Sequence, residues 1–169
     1  MENSFYQTFV EKNNLINKEF EDNRNECIKF INYFVKHLSV YIDCPDDRIV
    51  WAKFSEEKQK TISSEPDYIG FFLNEKLALY RTGYYHFFIK IFLGQKSVFS
   101  DVIQLRFGIK KSEKSFSICD ERKEITNNAA DQLDDVFRYI VANILELIDF
   151  HYKFDNHTKE KNPFGFIQE

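Results

Sequence analysis

Asp101, Glu121 and Lys123 come closest to a catalytic set in residue type and spacing. An acidic residue ahead of one strand and a Glu-x-Lys triplet after the next can hold a magnesium ion between carboxylates while the lysine positions or activates water. That chemistry belongs to a magnesium-dependent nuclease. Glu-x-Lys is a common triplet in charged chains, and the tripeptide Glu56-Glu57-Lys58 shows how readily such runs arise here. The candidate residues also fall in charged segments rather than in the middle of an apolar strand, where a fold would hold them rigidly. The nuclease is therefore kept as an alternative reading, and magnesium is expected only under it. No other cofactor is expected.

The remaining reactive side chains are scattered. Cys27, Cys44 and Cys119 show no metal-ligand spacing, and His37 and His86 have no histidine or cysteine partner at ligand distance in sequence. Asp149, His151, Asp155 and His157 gather where the last helix should end. Histidines suit the negative end of a helix, so this cluster reads as a solvated helix end and not as a metal site. There is no phosphate-cradling Gly-rich loop and no G-x-S-x-G elbow. Lys110, Lys111, Lys114, Arg122 and Lys123 form a basic run, but Glu113, Asp120, Glu121 and Glu124 dilute it.

Aromatic residues supply the binding candidates. Tyr80, Tyr84 and His86 belong to two neighbouring strands rich in aromatic side chains. An uncovered face there would be a groove for a small apolar ligand, the second alternative reading. Two amphipathic stretches are available for one sheet, so the N-terminal stretch is expected to cover that second face. Phe5 and Phe9 begin an apolar stripe on the N-terminal stretch, and Phe164 and Phe166 sit in a Phe-rich tail. Both suit a protein interface, although the tail could equally fold back on its own domain.

The elements that must position these residues follow from hydrophobic period. Phe5 to Ile42 carries apolar residues at Phe5, Phe9, Ile16, Phe20, Cys27, Ile31, Phe34, Leu38 and Ile42, in steps that suit a helix. The stripe is thin before Asn23, where Asn13, Asn14 and Asn17 interrupt it. One long helix, or two helices broken near Asp22 to Asn25, both fit. Strands are predicted over Arg48 to Phe54, Tyr68 to Leu73, Lys76 to Arg81, Tyr84 to Leu93, Val102 to Ile109 and Ser115 to Cys119. Tyr84 to Leu93 is apolar on both faces, as a central strand is. Ser55 to Glu65 and Lys110 to Lys114 read as loops. A last helix is predicted from Asn128 to Tyr152, capped by Asn127 or Asn128, with acidic residues in its first turn.

The chain has 169 residues, a net charge of −4, and 19 Phe beside 9 Tyr. A chain of this length can bury a core without disulfides or metal. The acidic balance disfavours long-range attraction to nucleic acid, which is not an expected partner. No stretch approaches a membrane span, and no leader precedes the first helix, so a cytoplasmic location is expected. The expected fold is α+β: an N-terminal helix or helix pair, an antiparallel sheet of about five or six strands, and a long C-terminal helix packed on the sheet. Residues 1–152 form the expected single domain and 153–169 its tail. The leading functional expectation is a non-catalytic interaction module, a small accessory or regulatory subunit, with a protein partner or a second copy of itself.

Overall fold

In the computed structural model the described residues are 4–45, 47–93, 102–113, 115–120, 124–129, 132–154 and 166–167. The chain opens with one unbroken helix, α1 (Phe5–Tyr41). No Gly or Pro occurs between Phe5 and Cys44, so the asparagines thin the apolar stripe without breaking the backbone. Ser4 starts the helix with a capping box. Its Oγ accepts from the Gln7 amide at 3.3 Å, and Gln7 Oε1 accepts from the Ser4 amide at 3.0 Å. Asp43, in the left-handed region at φ 50°, ends it just before Pro45.

The strands are β1 (Ile49–Ala52), β2 (Tyr68–Phe72), β3 (Leu77–Tyr80), β4 (Tyr85–Phe92), β5 (Val102–Lys111), β6 (Phe116–Asp120), β7 (Glu124–Thr126) and β8 (Phe166–Ile167). They form one sheet in the order β2-β3-β4-β5-β6-β7, with β1 paired to β4 and β8 paired to β5. All pairings are antiparallel. The sheet therefore matches the expected architecture, with β7 and the two-residue β8 as additions. β8 places the backbone of Phe166 opposite Ile103, so part of the tail returns to the sheet.

A short helix, α2 (Glu56–Ser63), replaces the loop expected between β1 and β2. Ser55 caps it by accepting from the Lys58 amide, Glu56 and Glu57 suit its positive end, and Ile62 is buried beneath it. One apolar residue in a polar run gave too little period to announce it. The hairpin after β5 is shorter than expected. Lys110 and Lys111 pair with Ser117 and Phe116, and the turn is closed between Ser112 and Ser115.

The last helix, α3 (Leu133–Phe154), begins later than expected. Asn128 is engaged elsewhere: its Oδ1 accepts from Ser115 Oγ and its amide donates to Thr126 Oγ1. The Ala129 amide donates to Phe116 O, and Ala129 is fully buried. Those contacts pin the segment to the β6 end of the sheet, so the chain cannot wind into a helix there.

The main core lies between the sheet and both long helices. Cys27, Phe30, Ile31, Phe34 and Leu38 of α1 and Val136, Phe137, Ile140 and Ile144 of α3 pack on Leu79, Phe87, Ile89, Leu105, Phe107, Ile109 and Ile118. Phe34 is the hub, with ring contacts to Phe87 at 6.2 Å, Phe107 at 5.7 Å and Phe137 at 5.4 Å. The expectation that α1 would cover the second face is thus overturned. A strand buries alternate residues, and the apolar set Ile103, Leu105, Phe107 and Ile109 draws both helices to one side. The second face holds a smaller cluster of Ala52, Phe54, Ile62, Ala78, Tyr80 and Phe88, closed by α2.

Candidate functional site

The N-terminal half of α1 stands away from this body. From Phe5 to Asn23 every residue is exposed except half-buried Thr8. At 1.5 Å per residue that segment is about 28 Å long. It is not polar: Phe5 is 86% exposed, Phe9 66%, Ile16 62% and Phe20 38%. Tyr6, Val10 and Leu15 are exposed as well. At about 100° per residue, Phe5, Phe9, Ile16 and Phe20 fall within an arc of about 60°. Cys27, Phe34 and Leu38 lie in the same arc. The stripe that builds the core therefore continues outward, and beyond Phe20 its residues Ile16, Phe9 and Phe5 are exposed.

Phe20 marks the boundary. Its ring meets Phe72 at 6.0 Å and Tyr85 at 6.5 Å, while the Arg24 guanidinium lies over Phe72 at 5.7 Å. Two turns further on, Cys27 is fully enclosed, its thiol pushed up to about 11 by burial. Lys111 Nζ meets Glu26 at 2.5 Å and ties the helix to β5.

Tyr80, Tyr84 and His86 do come together, on the second face of the sheet. Arg106 Nη2 donates to Tyr80 Oη at 2.6 Å, its Nη1 meets Glu65 at 3.5 Å, and its guanidinium lies 5.4 Å from the Tyr80 ring. The His86 ring meets Tyr80 edge-on at 4.5 Å. Tyr84 donates to Glu124 at 2.6 Å. Gly108, paired with His86 on one side and Cys119 on the other, lets their side chains close over it. A Cβ there would stand 2.6 Å from Cys119 Sγ and 2.8 Å from His86 Cε1.

Burial sets the chemistry of this cluster. It drives His86 down to about 3, with Arg106 adding to the effect, and drives Cys119 up to about 11. Tyr80 is raised by burial and then by Glu65, and Tyr84 is pushed up to about 12 by burial and then by Glu124. At neutral pH the imidazole is neutral and the thiol protonated, so the pair lacks the activated thiolate a nucleophile needs. Together these side chains make a packed polar seam.

Phe5 and Phe9 share one stripe on α1, which packs on the first face, so they are not joined to Tyr80, Tyr84 and His86. Asp101, Glu121, Lys123 and Phe164 lie outside the described residues, and only the backbone of Phe166 is described. Among the described residues no three His, Cys, Asp or Glu side chains converge as metal ligands would, and no helix is long and apolar enough to cross a membrane. Sequence reasoning missed Glu65, Arg106 and Gly108. Glu65 lay in an expected loop, and Arg106 and Gly108 alternate with the apolar residues of β5 without any motif of their own. Comparison with protein-family models, curated proteins and solved structures finds no match.

Proposed function

We propose that this chain is a non-catalytic protein-interaction module, a small accessory or regulatory subunit of a cytoplasmic complex. The projecting half of α1 is its contact element. The observation that carries this reading is the exposed stripe Phe5, Phe9, Ile16 and Phe20, continuous with the buried stripe of the same helix. Exposed apolar patches of this size mark interaction surfaces on soluble proteins. The projecting segment makes few tertiary contacts, its asparagines at positions 13, 14 and 17 lower its helix propensity, and it gains stability when its apolar side is covered.

The test is capture of the tagged full-length chain from its native cells, beside a variant carrying Phe5→Ser, Phe9→Ser and Ile16→Ser. Stoichiometric association, with a protein or with itself, is expected for the wild type and should vanish in the variant. Association that survives all three substitutions would move the contact away from α1. A solitary wild-type chain would overturn the module reading.

A further inference from the structure

We infer that the occupant of the projecting stripe is a second copy of this chain, paired antiparallel across a twofold axis that passes between Lys12 and Asn13. This rests on reading the projecting helix as an interaction element, and it adds the partner, its orientation and its register.

The stripe is self-complementary. A twofold interface must bring one patch against the same patch reversed. The stripe residues Phe5, Phe9, Ile16 and Phe20 are spaced by four, seven and four residues, a series that reads the same from either end. Antiparallel pairing about its centre sets Phe5 against the partner's Phe20 and Phe9 against the partner's Ile16. Asn13 then lies beside the axis, where a single polar residue can fix the register of a helix pair.

Length agrees with spacing. In this register Ser4 stands level with the partner's Glu21, so each helix tip ends where the other helix meets its own sheet at Phe20 and Phe72. The overlap therefore uses the whole projection and stops at the body. The partner's Phe5 would complete the cluster of Phe20, Phe72 and Tyr85, which α1 leaves open on one side.

Area agrees as well. Taking about 200 Å² for a full aromatic side chain, Phe5, Tyr6, Phe9, Ile16 and Phe20 leave roughly 600 Å² of apolar surface in water. Adding the polar flanks of the stripe brings each side near the ~800 Å² of a standard interface. Lys12 meets its own copy close to the axis, a like-charge contact that weakens the pair without blocking it, because both long side chains can swing into water.

The experiment is analytical ultracentrifugation of the full chain over a wide concentration range, with a disulfide test of geometry. The wild type is expected to reach twice 20.3 kDa. Joint Phe9→Asp and Ile16→Asp substitution should raise the dimer dissociation constant at least about 100-fold, since it places unpaired charge in the interface. Both residues lie outside the core, so the variant should still unfold cooperatively in urea as a folded monomer. Lys18→Ala, on the far side of the helix, should leave the dimer as it was. Asn13→Cys should crosslink to its own copy well above the wild-type background. Phe5→Cys should not, because the two thiols would be about 22 Å apart along the axis. Crosslinking at Phe5→Cys instead overturns the antiparallel register. A chain that stays at 20.3 kDa at every concentration overturns the dimer. If that monomer captures a different protein through Phe9 and Ile16, the module reading stands without the dimer; if it captures none, both fall.

Discussion

The two halves of α1 carry the same apolar stripe and meet opposite fates. From Cys27 to Leu38 it is sealed against the sheet and α3. From Phe5 to Phe20 it runs on into solvent. Nothing in the stripe residues separates the halves, since Phe and Ile occupy both. What differs is the length of the sheet beneath them. β2 is the last strand on that side, and past Phe72 the helix has no body to lie on. An apolar helix face thus becomes core or contact surface according to where the neighbouring layer stops.

The largest expected effect comes from breaking the sealed half. Phe34→Ala should destabilise the fold by about 3–5 kcal/mol, because its ring joins α1, sheet and α3 and the cavity would be fully enclosed. Urea unfolding measures this directly. Phe9→Ala, on the open half, should change the stability of the monomeric chain by no more than about 0.5 kcal/mol. Any larger loss that grows with protein concentration would report the helix pair instead.

A second contrast lies across the sheet. Gly108→Ala should destabilise by about 1–3 kcal/mol, since a methyl group there must push apart His86 and Cys119. The same substitution at Gly70, where a Cβ would meet nothing within 4 Å, should be far milder.

His86 gives the polar seam a pH signature. Its pKa in the folded chain, about 3, lies below the ordinary 6.5. As pH falls below 6.5 the unfolded chain takes up a proton that the folded chain refuses. Stability present above that value should therefore be lost at up to about 1.4 kcal/mol per pH unit, down toward pH 3. Tyr80, Tyr84 and Cys119, all pushed up by burial, lie around the ring and do not change charge in that window. The difference between wild type and His86→Gln in urea unfolding at pH 7 and pH 4.5 isolates this contribution. An equal loss in both chains would remove His86 as its source.

The most local effect belongs to the helix tip. Ser4→Ala removes one half of the capping box and should weaken the first turns by about 1 kcal/mol. Hydrogen exchange should quicken near Thr8 and leave Phe34 unchanged, because the tip frays without unfolding the body.

Much of this architecture was legible in residue order. The strand expected over Val102 to Ile109 alternates in sequence, with Ile103, Leu105, Phe107 and Ile109 on one face, and the structure buries all four. The thinner stripe before Asn23 allowed either one helix or a break near Asp22 to Asn25, and α1 runs through it unbroken. α2 was illegible because one buried residue, Ile62, is too few to show a period. The start of α3 was misplaced because Asn128 is a good cap by type, but its bonds go to Ser115 and Thr126. The seam of Glu65, Tyr80, His86 and Arg106 joins four segments, and no local pattern announces such a meeting.

By itself the sequence determined the two long helices, the alternation of the strands and the stripe on α1, because these follow from the 3.6 and 2.0 periods of side chains along one chain. It left open which side of the sheet each helix would take and how far the sheet would reach. Those were decided only by tertiary packing, because an amphipathic helix specifies which of its own faces is apolar and not what will cover it. That is why Phe34 is core and Phe9 is surface on the same turn-by-turn repeat.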